Sequence, residues 1–266
     1  MPFAVIDESP LIPGRNPVEI YYREYGQGTP LIFLHGGWGY EVYPFNHQIN
    51  AFSDRFRILI PDRSGYGRSS RIDRQTDNFH KAAAIETIKF IDTLSLERPV
   101  LWGHSDGAVI AAIMGLALPE RFSGIIMEAF HYDRSKPNSR DFFESMVHAP
   151  EKFGERICSI LAEDHSENDW RKILEINGRA WLKIMEEGNR AEKDFYDGRL
   201  SKLAVPAIFI HGSRDPRTEP GELDAVSKLL PRVPIQIIEN AGHSPHSSEA
   251  SADECNRIAE QFLIQI

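Results

Sequence analysis

PVLWGHSDGAVIAAIMGLAL, residues 99–118, changes character at its middle. Its opening, PVLWG, is a short apolar run of the length a buried strand needs. From about 106 to 117 the small and aliphatic residues of GAVIAAIMGLAL predict a helix. Gly103-His104-Ser105-Asp106-Gly107 lies at the junction and fits the G-x-S-x-G nucleophile elbow in both pattern and context. A serine at such a turn is pushed into a strained conformation that lifts its hydroxyl above the sheet. Flanking glycines are needed because side chains there would collide with the adjoining strand and helix. The positive end of the following helix favours developing negative charge at the same point. Ser105 is therefore the candidate nucleophile.

Around this junction, short apolar runs alternate with helix-like stretches. VEIYYREY at 18–25 alternates as a strand near a sheet edge, LIFLH at 31–35 follows a turn, and RILIP at 57–61 is a buried-strand candidate. A helix is expected at about 77–94, where Ala82, Ile85, Ile88, Ile91 and Leu94 share a face and Asp77 or Asn78 stands where a cap belongs. Beyond the elbow come strands GIIMEAF at 124–130, PAIFIHG at 206–212 and PIQIIEN at 234–240, with helices near 220–230 and 248–264. Such alternation argues for a parallel sheet covered on both faces. Residues 131–200 break the rhythm. They hold no convincing strand but several charged amphipathic segments, such as WRKILEINGRAWLKIMEEG. We read them as a helical insertion, or cap, lying over the C-terminal edge of the sheet. The core is then 1–130 together with 201–266.

Serine needs a base within hydrogen-bond reach. His243, in NAGHS at 240–244, follows a strand end on the same sheet edge as the elbow and directly follows the glycine at the strand exit. His246, three residues on, is its competitor. A third group must hold the imidazole in one tautomer. Asp215, in HGSRD at 211–215, occupies the turn after PAIFI; Asp133, after GIIMEAF, is its rival. Asp106 is too close to the nucleophile in sequence to reach round the histidine. Acyl transfer also requires donors aimed at the oxyanion. One is the backbone N–H of Asp106. The other should come from HGGWG at 35–39, with Gly37 the first choice and Trp38 the second. Trp38, Tyr40 and Tyr43 on that loop, with Phe130 and Tyr132 at the cap entrance, are candidates to shape an apolar substrate pocket. The turn DRSGYGRSS at 62–70 lacks the Gly-Lys-Ser/Thr ending of a phosphate loop and is expected to be structural.

Composition excludes several other classes. Of the 266 residues, 26% are charged, and the net charge of −9 is spread without a basic stripe, which argues against nucleic acid. Cys158 and Cys255 cannot form a disulfide framework. No cluster has zinc-ligand spacing, and no G-x-G-x-x-G opens a helix. The beginning MPFAVIDESP has neither a basic nor an apolar signal region, and no run is long enough for a membrane span. A cytoplasmic protein with a small-molecule substrate and no membrane partner is expected.

Taken together, HGGWG, DRSGYGRSS, GHSDG, HGSRD and NAGHS resemble the α/β-hydrolase superfamily in order and spacing, over about residues 18–265. The order Ser105, Asp215, His243 is that of its triads. The resemblance implies an α/β fold with an eight-stranded, mostly parallel sheet, helices on both faces and a helical cap after the sixth strand. It also implies that no metal or organic cofactor is needed. Relatives that use an aspartate nucleophile are set aside by Ser105, and GHSDG departs from the G-G-S-W-G elbow usual in proline iminopeptidases. A carboxylesterase-like serine hydrolase is the leading expectation. A lactonase, carbon–carbon bond hydrolase, perhydrolase, peptidase, thioesterase or lyase activity remains open, as does a small-molecule receptor with slow hydrolysis.

Overall fold

The computed structural model describes residues 2–191 and 194–266. Its strands are β1 (Phe3–Ile6), β2 (Val18–Tyr25), β3 (Thr29–Leu34), β4 (Phe56–Pro61), β5 (Val100–His104), β6 (Gly124–Glu128), β7 (Ala207–Gly212) and β8 (Ile235–Ile238). They form one eight-stranded sheet in the order β1-β2-β4-β3-β5-β6-β7-β8. β2 runs antiparallel to both β1 and β4, and every pairing from β4 through β8 is parallel. The helices are α1 (Asn46–Phe52), α2 (Phe79–Thr93), α3 (Asp106–Ala117), α4 (Arg140–His148), α5 (Glu155–His165), α6 (Trp170–Ala191), α7 (Glu222–Leu229) and α8 (Ala252–Leu263).

The strand sequences explain the layering. β5, β6 and β7 are buried at every residue, as strands covered on both faces must be. Side chains alternate across the sheet, so β3 feeds two cores. Ile32 and Leu34 join the cluster that holds α2, α3 and the helices between β6 and β7. Leu31 and Phe33 join the cluster that holds Phe52 of α1 and Cys255, Ile258 and Phe262 of α8. At the edge, β1 instead alternates: Phe3 and Val5 face solvent while Ala4 and Ile6 are buried.

Two elements escape the sequence pattern. FAVI of β1 is too short for its alternation to register, and its presence moves β2 one place inward from the edge. NHQINAF of α1 is a seven-residue polar segment whose burial rests on Gln48 and Phe52. Asn78 takes the N-cap position of α2 without a side-chain cap, while Asp77 pairs with Lys183. Among the described residues, the chain between β6 and β7 carries α4, α5 and α6 and no strand; residues 192 and 193 of the expected insertion lie outside the described residues. No described helix is long and apolar enough to cross a membrane.

Candidate active site

Ser105 sits between the end of β5 and the start of α3 with φ 55° and ψ −118°, a backbone conformation that costs of order 1–3 kcal/mol for a residue with a side chain. Close packing on both flanks holds it there. A Cβ added to Gly103 would stand 2.1 Å from the carbonyl oxygen of Gly107, and one added to Gly107 would stand 2.0 Å from that of Leu34. The Ser105 N–H donates to Glu128 O of β6 at 2.9 Å, and its carbonyl accepts from Ala108 and Val109 as α3 begins. Sheet and helix thus fix the strained turn from opposite ends.

Loops leaving β7 and β8 bring Asp215 and His243 to the same edge. Nδ1 of His243 donates to the Asp215 carboxylate, with both oxygens at 2.9 Å. Burial opposes ionisation of Asp215, but the His243 imidazole and the nearby His211 outweigh it and hold the carboxyl far below the ordinary range. The His243 loop is pinned from below. Nε2 of His104 donates to the His243 carbonyl at 3.0 Å, and Ser244 Oγ lies 2.9 Å away. Burial, then the neighbouring His246 and His243, push His104 down to about 3, so its ring stays neutral. His246 takes no place beside Ser105. It is fully buried, stacked on Phe45, with Nδ1 on Glu128 at 2.7 Å and Nε2 on the Tyr43 carbonyl at 3.0 Å. Asp133 is likewise elsewhere, bridged through its backbone to Asp194, with its N–H donating to Glu222.

One residue at the nucleophile has no counterpart in the sequence reading. His131 is buried, and its Nε2 lies 3.3 Å from Ser105 Oγ. Its ring faces His243 at 5.9 Å between centroids and meets Trp181 edge-on. Burial, reinforced by Lys136 and His243, pushes its pKa well below the usual imidazole value. Its Nδ1 is buried without a hydrogen-bond partner. The register of β6 beside β5 sets Glu128 opposite His104, and the turn at Ala129 (φ 51°) then brings His131 back to Ser105; nothing in the local sequence marks that turn.

The loop after β3 closes the other side. Gly36, Gly37 and Trp38 line the same cavity of about 320 Å³ as Ser105, Asp106 and His243. The loop is held by side chains from two directions. Arg63, from the turn after β4, donates to the carbonyls of His35 and Gly36 at 3.2 and 3.3 Å. His165, at the end of α5, donates to the Trp38 carbonyl and accepts from Gly67 N–H, each at 2.9 Å. The expectation that DRSGYGRSS is structural matches this bracing role. Gly37 leaves no room for a side chain: its Cβ would lie 2.8 Å from Asn177 Oδ1 and 2.9 Å from Asp106 Oδ2.

The side chain of Asp106 is buried and bonded to its neighbours. Its carboxylate accepts from His80 at 2.9 Å, Trp181 at 3.1 Å and Asn177 at 3.4 Å, joining α3 to α2 and α6. Burial works against that charge, but the His80 contact prevails and keeps the carboxyl below its ordinary value. The remaining wall is mostly apolar and comes from Trp38, Tyr43, Phe142, Phe143, Met146 and Trp181. Three expected pocket residues are placed elsewhere. Tyr40 is buried under the Arg23 guanidinium, 4.4 Å from its ring centre. Phe130 stacks on Tyr196 and meets Phe209, because the residue after Ala129 turns back into the core. Tyr132 is held by its N–H to Glu222 and packs beside Tyr196.

His104, Glu128 and His246 bring three ligand-type atoms within 4.8 Å of one another. Each is already committed: Glu128 accepts from His246 and from Trp102 Nε1, and His104 faces Ser244. A cation there would have to displace those bonds.

A family model described as the alpha/beta hydrolase family matches residues 31–257. The chain is 23% identical to the human serine hydrolase BPHL over 253 residues, covering 93% of this chain and 84% of that protein. It is 26% identical to a non-heme haloperoxidase of Rhodococcus erythropolis over 232 residues, covering 77% and 82%. In fold it is similar to a thermophilic esterase from Thermogutta terrifontis, with a TM-score of 0.73 at 20% identity, covering 100% and 99% of the two chains.

Proposed function

The chain belongs to the alpha/beta hydrolase family, and within it we propose a serine hydrolase that cleaves an ester or related acyl bond of a small molecule. The observation that carries this reading is that Ser105, strained at the elbow, and His243, held by Asp215, line one largely apolar cavity. In that reading His243 Nε2 takes the Ser105 proton as Oγ attacks the carbonyl carbon. Asp215 stays ionised, holds the Nδ1–H tautomer and stabilises the imidazolium. Backbone N–H groups of Asp106 and Gly37 receive the oxyanion, each worth roughly 2.7–4 kcal/mol of barrier. The imidazolium then gives its proton to the departing alcohol. Water, losing its proton to His243, attacks the acyl-enzyme, and Ser105 recovers its proton as the acid leaves. Helices α4 and α6 act as a cap that contributes part of the apolar wall and limits the substrate to a small molecule.

Names among the relatives, a serine hydrolase and an esterase, favour acyl chemistry on serine. The test is labelling with a fluorophosphonate probe and peptide mapping, with wild type beside Ser105→Ala and His243→Ala. Label on Ser105 in the wild type, absent in both variants, is the expected result. A folded wild type that takes no label overturns the reading.

A further inference from the structure

The wall of the active-site cavity carries one guanidinium that no side chain among the described residues pairs with directly. Arg217, two residues past Asp215, is half-buried there, and its guanidinium carbon lies 3.3 Å from the centre of the Phe142 ring. Among the described residues, no side chain makes an ion pair or hydrogen bond with that guanidinium. Neighbouring charges are already matched. Asp106 is bonded to His80, Trp181 and Asn177, Asp215 to His243, and the buried Lys136 to Glu222. Burial lowers the Arg217 pKa, and the Asp215 charge offsets only part of that cost. Phe142 lies against the guanidinium, and Trp38, Phe143 and Met146 line the same cavity.

A cation partly stripped of water, stacked on one aromatic ring and facing an apolar cavity, is completed best by an anion entering with the ligand. A guanidinium offers a planar fork that matches a carboxylate with two parallel hydrogen bonds. We propose that Arg217 binds a carboxylate carried by the substrate, so that the substrate class is a small acyl compound with an apolar body and a second, free carboxylate. The inference deepens the serine-hydrolase reading and rests on it. It adds a specificity residue on the loop that supplies the triad acid, so the charged end of the substrate and the general base are positioned by the same turn.

The test separates recognition from catalysis. Binding of monobenzyl glutarate and of its neutral cap, benzyl methyl glutarate, is measured by calorimetry on Ser105→Ala protein, in which Arg217 is intact and turnover is not required. The free acid is expected to bind tighter by roughly ten- to a hundredfold, the range for a charge-assisted pair. The advantage should shrink with added salt and disappear in Ser105→Ala/Arg217→Gln. Ser105→Ala/Arg217→Glu should instead prefer the benzyl ester of 4-(trimethylammonio)butyrate, a gain that misfolding cannot produce. Equal binding of acid and neutral ester, or an acid preference that survives Arg217→Gln, overturns the proposal. Turnover of the same esters by wild type is scored separately. Tight binding of the acid with no hydrolysis and no fluorophosphonate label would sink the serine-hydrolase reading while leaving the carboxylate site standing.

Discussion

The hydroxyl of Ser105 hydrogen-bonds to Nε2 of His131 at 3.3 Å, and the opposite nitrogen of that ring, Nδ1, is buried with no partner. His243 has the contrary arrangement, with its Nδ1 on the Asp215 carboxylate. A buried N–H without an acceptor is costlier and rarer than a buried acceptor without a donor. The Nε2–H tautomer is the one that strands no N–H on the Nδ1 side; in it the ring donates to Ser105 Oγ. A neutral ring with no carboxylate behind it is a poor base, so on the serine-hydrolase reading His131 is expected to position Ser105 and not to deprotonate it. His131→Ala should lower kcat by roughly tenfold, the worth of about one hydrogen bond. His131→Gln, which keeps an N–H donor, should recover part of the loss. Steady-state kinetics on a neutral aryl ester checks both, and an unchanged kcat in His131→Ala would remove the role.

Asp215 and Asp133 make different predictions. Asp215 lies against His243, while the contacts of Asp133 run to Asp194 and Glu222 through its backbone. Asp215→Asn should cost roughly 10⁴ in kcat by favouring the wrong imidazole tautomer. Asp133→Asn should stay within about twofold. Parallel kcat measurements decide it, and the reverse ranking would move the triad acid to the loop after β6.

What could be read in the sequence follows physical locality. The G-x-S-x-G turn, the strand runs around it and α3 are dictated by residues next to one another, so GHSDG and its flanks predict both element type and backbone strain. Asp215 and His243 are placed by strand ends, which the apolar runs of β7 and β8 also mark. The misplaced pocket residues fail for a different reason. Whether Tyr40, Phe130 or Tyr132 faces the cavity depends on side-chain direction after a turn, and Ala129 at φ 51° sends Phe130 into the core and His131 to the nucleophile. No local pattern encodes that rotation. The same holds for the contribution of α5, where His165 reaches Trp38 across 127 positions of sequence.

Behind the elbow, Glu128 is fully buried and accepts from His246 N–H, His246 Nδ1 and Trp102 Nε1. Burial opposes its charge, but His246 outweighs this and holds the carboxyl at about 2. Its backbone carbonyl also takes the Ser105 N–H, so the strand that bears this carboxylate supports the strained turn. Removing one member of a buried pair leaves the other without compensation. Glu128→Ala should therefore destabilise the fold by about 3–5 kcal/mol. Urea unfolding measures this, and a loss below about 1 kcal/mol would mean that the network relaxes around the gap.

Asp164, near the end of α5, provides a pH test of the contact between α5 and Arg23 of β2. Its side chain is 2% exposed, and its carboxylate accepts from Glu41 N–H at 3.4 Å and lies 3.8 Å from Arg23. Burial raises its pKa to about 6, with the Glu41 N–H and Arg23 working against the rise and the Glu41 charge adding to it. A folded-state value above the unfolded one means that the folded protein holds this proton more tightly. Stability from this group therefore grows as pH falls through about 6, and the cost of the buried charge is fully present above it. The rise from 3.8 to about 6 corresponds to roughly 3 kcal/mol at most. Asp164→Asn removes the titration while keeping the shape. The variant should be more stable than wild type at pH 8, and its advantage should close between pH 7 and pH 4. Paired denaturation curves at pH 8, 6 and 4.5 read the gap directly. A constant gap would show that the carboxyl does not titrate in that window and that Arg23 holds it ionised throughout.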